Sequence, residues 1–157
     1  MNKQKKIQVK IPAGVDTGMR LRLSGEGNWA AGGRGDLYIS LNVREHPFFK
    51  RQENDIVVKL DVSFFKLILG AEVEVATLDG KVSMKIPAGT QPGKVFRLRG
   101  KGIKYLHASG QGDELVVINA TIPTRLTSRQ RQLLEEYARE SGQDQDSFTD
   151  RFKKAFK

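Results

Sequence analysis

A nineteen-residue passage occurs twice in this chain without gaps, as Val9–Gly27 and Met84–Gly102, seventy-five positions apart. Ten of the nineteen positions are identical, among them Pro12/Pro87 and the glycine pairs Gly14/Gly89, Gly18/Gly93, Gly25/Gly100 and Gly27/Gly102. A repeat of this kind restricts the fold to one small unit used twice in series, because the same prolines and glycines impose the same turns in both copies. The second copy also serves as a ruler for the first. Gly35-Asp36 falls on Gly112-Asp113, and Ile39 and Leu41 fall on Val116 and Ile118. Upstream the copies part. The 27 residues Asp55 to Lys81 precede Val82, whereas six precede Ile7, its equivalent. The first unit is therefore expected to lack opening strands that its twin possesses, leaving sheet edges that need covering.

Period-two alternation dominates as far as residue 122 and predicts strands with one inward face. It runs through Ile7, Val9 and Ile11, through Leu37, Ile39, Leu41 and Val43, and through Ile56, Val58, Leu60 and Val62. The same period recurs in Val82, Met84 and Ile86 and in Val116 and Ile118. Pro-Ala-Gly at 12–14 and 87–89, Asp79-Gly80 and the glycine bends separate these runs as turns. A short helix is expected from Ser63 to Leu69. After Pro123 the pattern becomes helical. Thr127-Ser-Arg-Gln130 reads as a capping box opening a helix to about Ser141, with Gly142 as its stop. Leu133, Leu134 and Tyr137 form its apolar stripe, and Leu126 lies seven positions before Leu133. A second capping box, Ser147 to Asp150, leads a segment with Phe148, Phe152 and Phe156 at helical spacing, too apolar a face to leave in water.

Composition narrows the function classes. The formal charge is +9, and it is spread: ten Lys/Arg against five Asp/Glu in residues 1–53, nine against seven in 54–122, eight against six in 123–157. A spread excess fits a solvated surface rather than a nucleic-acid footprint. There is no cysteine, which excludes disulfides and thiolate zinc sites. No run approaches the roughly 20 apolar residues of a membrane span, and no apolar core follows the basic start as in a signal peptide. A cytoplasmic location is the expectation. His46 and His107 have no evident ligand or nucleophile partners, and no P-loop, Gly-x-Ser-x-Gly or His-Glu-x-x-His occurs, so no enzyme is expected.

The paired Ile-Pro-Ala-Gly blocks, the Gly-Asp-led strands, the connector His46-Pro-Phe-Phe-Lys-Arg51 and the closing helix together resemble the C-terminal region of the DnaJ family of co-chaperones. The resemblance covers essentially the whole chain. It implies a mostly β fold of two tandem β-sandwich-like domains followed by a helical dimerisation segment. The expected divisions are a partial first domain at 1–45, a connector at 46–54, a second domain at 55–124 and the helical segment at 125–157. The family's J-domain and zinc module have no counterpart here, since His-Pro-Asp and Cys-x-x-Cys are both absent. The chain thus looks like a fragment beginning after the zinc module, so no cofactor is expected on it and zinc belongs only to a full-length parent.

The resemblance also implies the partners: non-native polypeptides, a second copy of the chain and, in the full-length context, a DnaK-type chaperone. No membrane partner is expected. In the family an extended peptide adds to a sheet edge of the first domain while an apolar side chain enters a shallow pocket, a mode that asks little of sequence. The matching positions are Ile7, Val9, Ile11, Ile39 and Leu41, which would serve equally well as plain core. Dimer contacts would fall to Leu126, Leu133, Leu134, Tyr137, Phe148, Phe152 and Phe156. Lys10, Arg20 and Arg22 are weaker candidates for receiving the acidic tail of the partner chaperone. The expected function is a holdase-like, homodimerising co-chaperone fragment. Its rivals are a basic nucleic-acid-binding β-module and a structural dimerisation fragment without client binding.

Overall fold

The computed structural model describes residues 4–142. The chain divides into two compact units, Met1–Thr121 and Ile122–Lys157. The first unit contains both copies of the repeat, each built on an antiparallel pair. In the first copy β1 (Arg20–Leu23) is followed by two short strands, β2 (Trp29–Ala30) and β3 (Gly33–Arg34), which pair with each other, and by β4 (Leu37–Ser40). β4 pairs with β1, placing Leu21 opposite Ile39 and Leu23 opposite Leu37. The ladder continues past the named strands: Leu41 N–H donates to the Met19 carbonyl at 2.8 Å, and Gly18 N–H to the Leu41 carbonyl at 3.0 Å.

The second copy is fuller. After β5 (Lys50–Gln52) come β6 (Asp55–Ser63), α1 (Phe64–Leu69), β7 (Ala71–Thr77), β8 (Gly80–Ile86), β9 (Val95–Leu98) and β10 (Glu114–Thr121). Strands β5, β6, β10 and β9 form one sheet in that order, with β6 parallel to β10 and the other pairs antiparallel. β7 and β8 form a separate hairpin. Alternation gives each layer one apolar face, and the faces meet. Val62, Leu67, Val75, Met84, Ile86, Val116 and Ile118 make one buried cluster, with Leu60, Val73, Val82, Phe96, Leu98 and Ala120 packed against it. Burial at about 1.5–3 kcal/mol for each large aliphatic side chain makes this cluster the main source of stability.

The short helix α1 has a specific exit. Gly70 takes φ 82°, and a Cβ there would press on the Ala88 nitrogen and Ile86 carbonyl at 3.0 and 3.1 Å, so the position demands glycine. The Pro-Ala-Gly turn then returns to cap α1. Gly89 N–H reaches the Leu67 and Ile68 carbonyls and Thr90 N–H the Leu67 carbonyl, satisfying acceptors the helix end leaves open.

In the second unit, α2 (Ser128–Glu140) begins as the sequence predicts. The Thr127 hydroxyl accepts from Gln130 N–H at 3.2 Å, and the Gln130 side chain accepts from Thr127 N–H at 2.9 Å. Among the described residues no helix is long and apolar enough to cross a membrane.

Candidate functional site

The two copies of the repeat use the same local devices. In the first, the Asp36 carboxylate accepts from Gly25 N–H at 3.0 Å and from the Arg22 guanidinium at 2.6 Å. In the second, Asp113 accepts from Gly100 N–H at 2.8 Å and from Arg97 at 2.7 Å. These latches tie each Gly-Asp turn to the preceding strand and bend. The backbone N–H foremost, and the arginine after it, hold both carboxyls below the ordinary aspartate range. The latch fixes where β4 and β10 begin. It also engages Arg22, whose charge is already compensated, whereas Lys10 and Arg20 have no ion-pair partner among the described residues.

The candidate polypeptide-binding positions are separated by the structure. Ile39 lies on β4 and Leu41 just beyond it, both half-buried beside the half-buried Leu21 and Leu23. Their equivalents Val116 and Ile118 are sealed in the core, 0% and 1% exposed. Ile7, Val9 and Ile11 form no strand, and Ile7 and Ile11 are exposed. This corrects the expectation of a strand with one buried face. The cause is the missing ladder. The twin residues Val82, Met84 and Ile86 are extended because β8 is hydrogen-bonded along its length to β7. No ladder joins residues 4–12 to β4 among the described residues.

Two features went unread in the sequence. The first is Arg51, at the end of the connector. It donates to the carbonyls of Val15 at 2.7 Å, Gly14 at 3.3 Å and Glu53 at 2.7 Å, with Asp16 at 3.7 Å. Both Pro-Ala-Gly turns are therefore tied down by partners outside themselves, the second by α1 and the first by Arg51. Arg51 also lines a cleft of about 540 Å³ with Thr17, His46, Phe49, Lys50 and Ile103. There the His46 Nδ1 accepts from the Phe48 and Phe49 N–H groups at 3.1 and 3.2 Å, making it a turn-forming acceptor. The second is Glu114 on β10, fully buried with neither carboxylate oxygen hydrogen-bonded. Burial pushes its carboxyl up to about 7, with Lys101 pulling the other way. Its equivalent in the first copy is the apolar Leu37. The repeat held the signal for Glu114: a charge at a position where its twin is a leucine on the inward face.

The dimerisation candidates form an apolar stripe on α2 and just before it. Leu126, Leu133, Leu134 and Tyr137 are all exposed, and no residue of α2 is buried. Phe148, Phe152 and Phe156 lie outside the described residues. No group of three or more His, Asp or Glu placed to hold a metal ion occurs among the described residues.

Comparison with known proteins bears on the same residues. The family model described as DnaJ C terminal domain matches residues 1–123, and that of the Chaperone protein DnaJ C-terminal region matches residues 129–157. The chaperone protein DnaJ of Bacillus mycoides (strain KBAB4) is 49% identical over 159 aligned residues, covering 100% of this chain and 43% of the relative. Chaperone proteins DnaJ of Bacillus cereus (strain AH820) and Bacillus anthracis (strain A0248) show the same identity and coverage. The chain thus spans less than half the length of these curated relatives.

Proposed function

This chain belongs to the DnaJ C-terminal domain family, and from that membership we propose that it binds non-native polypeptide and pairs with a second copy of itself. The family is one of co-chaperones, not of enzymes. The observation that carries the polypeptide reading is the contrast between the twin modules. Leu21, Leu23, Leu37, Ile39 and Leu41 form an apolar face that is only half-buried, while the corresponding face of the second module is closed by β6, β7 and β8. An open apolar face beside a strand edge that is unpaired among the described residues suits an extended client, whose backbone supplies hydrogen bonds and whose side chains supply only hydrophobicity. Ile7, Val9 and Ile11 become a strand in this reading when another strand pairs with them.

The exposed stripe of Leu126, Leu133, Leu134 and Tyr137 supports self-association, with Phe148, Phe152 and Phe156 as further candidates. Two linked arms would raise the avidity for one client without adding sequence specificity. In a full-length parent the partner would be a DnaK-type chaperone in the cytoplasm, with Lys10 and Arg20 better placed than Arg22 to meet an acidic tail. The proposed divisions are 1–45, 46–54, 55–124 and 125–157. Zinc would belong only to a cysteine-bearing module upstream.

Suppression of aggregation of a chemically denatured client tests this reading. The chain is expected to suppress aggregation at low and at moderate salt alike, because apolar contacts and backbone pairing resist screening. A suppression that vanishes with salt, in a protein retained on nucleic acid with a steep salt slope, would overturn it. Several basic residues are already paired, as in Lys5–Glu26 at 2.7 Å, Arg22–Asp36 and Arg97–Asp113, which disperses the positive field.

A further inference from the structure

The connector between the modules is pinned at both ends and held in the middle by one imidazole. At its first end Val43 N–H donates to the Thr17 hydroxyl at 2.9 Å, and that hydroxyl donates to the Val43 carbonyl at 3.2 Å. The chain therefore leaves the first module from a fixed point. At its second end β5 is laddered to β6, with Lys50 opposite Val57 and Arg51 opposite Ile56. Between these pins, among the described residues, the hydrogen bonds of segment 44–49 are the two that Phe48 and Phe49 N–H donate to His46 Nδ1. An acceptor that serves the N–H groups two and three positions ahead imposes a turn on the backbone, as an Asn or Asp side chain does.

A second tie runs beside the connector. The first Pro-Ala-Gly turn lies between Arg51, which donates to the Gly14 and Val15 carbonyls, and the 104–106 backbone of the second module. A Cβ on Gly14, at φ 89°, would collide with the Lys104 carbonyl. Asn54 fixes that backbone in turn: its carbonyl accepts from Ile103 N–H at 2.8 Å, and its side-chain amide donates to the Lys104 carbonyl at 3.4 Å. The first module thus meets the second at the Gly14 turn and through the connector. Two ties fix an orientation, whereas one alone leaves a pivot. The ties differ in what a proton does to them. The Gly14 clasp is made of neutral backbone groups and an arginine, which keeps its charge throughout the accessible pH range. The connector turn depends on a ring nitrogen whose lone pair is also a proton site. With Nδ1 accepting, the neutral ring carries its hydrogen on Nε2; a protonated ring carries N–H on both nitrogens and accepts from neither amide.

We propose that His46 is a proton-controlled lock on the joint between the two modules. The neutral ring holds their mutual orientation. Mild acidification, the range in which imidazole ordinarily takes up its proton, opens the connector turn and lets the first module pivot at Gly14. The direction follows from the hydrogen bonds: the closed turn exists only with the neutral ring, the open connector takes either form, and protons therefore favour the open one. The charged groups lining the cleft with His46 are Asp16 beside the first turn and Arg44, Glu45, Lys50, Arg51 and Glu53 along the connector and its flanks, while the second-module loop contributes the apolar Ile103. They are three of each sign, so the hydrogen bonds rather than one dominant charge set the lock. The device is independent of what either module binds.

The sequence holds no cysteine, so Ser40→Cys on β4 and Lys81→Cys on β8, both exposed, take one spin label each. Pulsed electron paramagnetic resonance on the full chain, diluted with unlabelled copies, then reads the distance between the modules. The distribution is expected to be narrow at about pH 8 and broad at about pH 5. Loss of two hydrogen bonds should raise the open population on the order of tenfold. His46→Asn puts a side-chain oxygen in place of Nδ1 that accepts at either pH, and should stay narrow at both. His46→Ala removes the acceptor and should be broad at both, with circular dichroism verifying the β-modules; the Asn variant decides the question if the Ala variant fails to fold. His107→Asn, at the other histidine, exposed on the loop after Lys104, should respond as the parent does. Glu114 cannot mimic the result, because acid favours its buried, protonated form. A parent distribution unchanged by pH, or a His46→Asn chain that broadens like the parent, overturns the lock. So does a folded His46→Ala chain that stays narrow, or a response lost in His107→Asn.

Discussion

Glu114 shows how one side chain can set the pH response of a whole module. The carboxyl is enclosed by the β-sheet with no hydrogen bond to either oxygen, so the charged form is penalised and the folded protein retains the proton up to about 7. The unfolded chain releases it near the ordinary 4.5. Between those values the folded state binds more protons than the unfolded state, so stability is full below about 4.5 and falls as pH rises, the loss being complete a little above 7. Leu37 at the equivalent position indicates the remedy. Glu114→Leu is expected to raise stability at pH 8 by about 1–3 kcal/mol and to flatten the decline between pH 5 and 8. Thermal melts of both proteins across that range check it, and parallel pH profiles would refute the assignment. Arg51 works the other way, as a residue whose charge is put to use. Its guanidinium gathers carbonyls from a turn 36 residues away, a partnership that no local pattern could announce.

At the scale of elements, local chemistry and tertiary partnership made separable contributions. α2 illustrates the first. Its start is encoded by Thr127 and Gln130, and both capping hydrogen bonds form where the sequence placed them. Thr127→Ala should cost about 1 kcal/mol of helix stability, visible as reduced helical circular dichroism on heating, while the β-unit signal is unchanged. A helix that melts as before would show that the cap contributes nothing. The Ile7–Ile11 stretch illustrates the second. Its alternation is as regular as that of Val82–Ile86, yet only the latter is a strand, because strand geometry persists through ladder hydrogen bonds and β7 supplies them. Alternation reports which face a strand would bury. It does not report whether a partner exists.

For the molecule as a whole, the exposed stripe on α2 carries the expectation of a dimer. Leu133→Asp with Leu134→Asp places charge at the centre of that stripe and should halve the mass found by light scattering, since buried unpaired carboxylates oppose association. An unchanged mass would remove the helix from the interface. Much of the architecture was legible beforehand: two related β-modules, the turns at Pro12 and Pro87, the short helix before Gly70 and the capped helix after Pro123. These follow from residues acting on neighbours a few positions away, where proline, glycine and capping side chains restrict the backbone directly. The sequence by itself thus determined the repeat and its local shapes, whereas the matched latches of Arg22 with Asp36 and of Arg97 with Asp113 span 14 and 16 residues and emerged only in the structure. Only the tertiary structure decided their fates. Val116 and Ile118 became core because β6, β7 and β8 close over them, while Ile39 and Leu41 remain half-open because burial depends on what arrives from elsewhere in the chain, and nothing among the described residues arrives there.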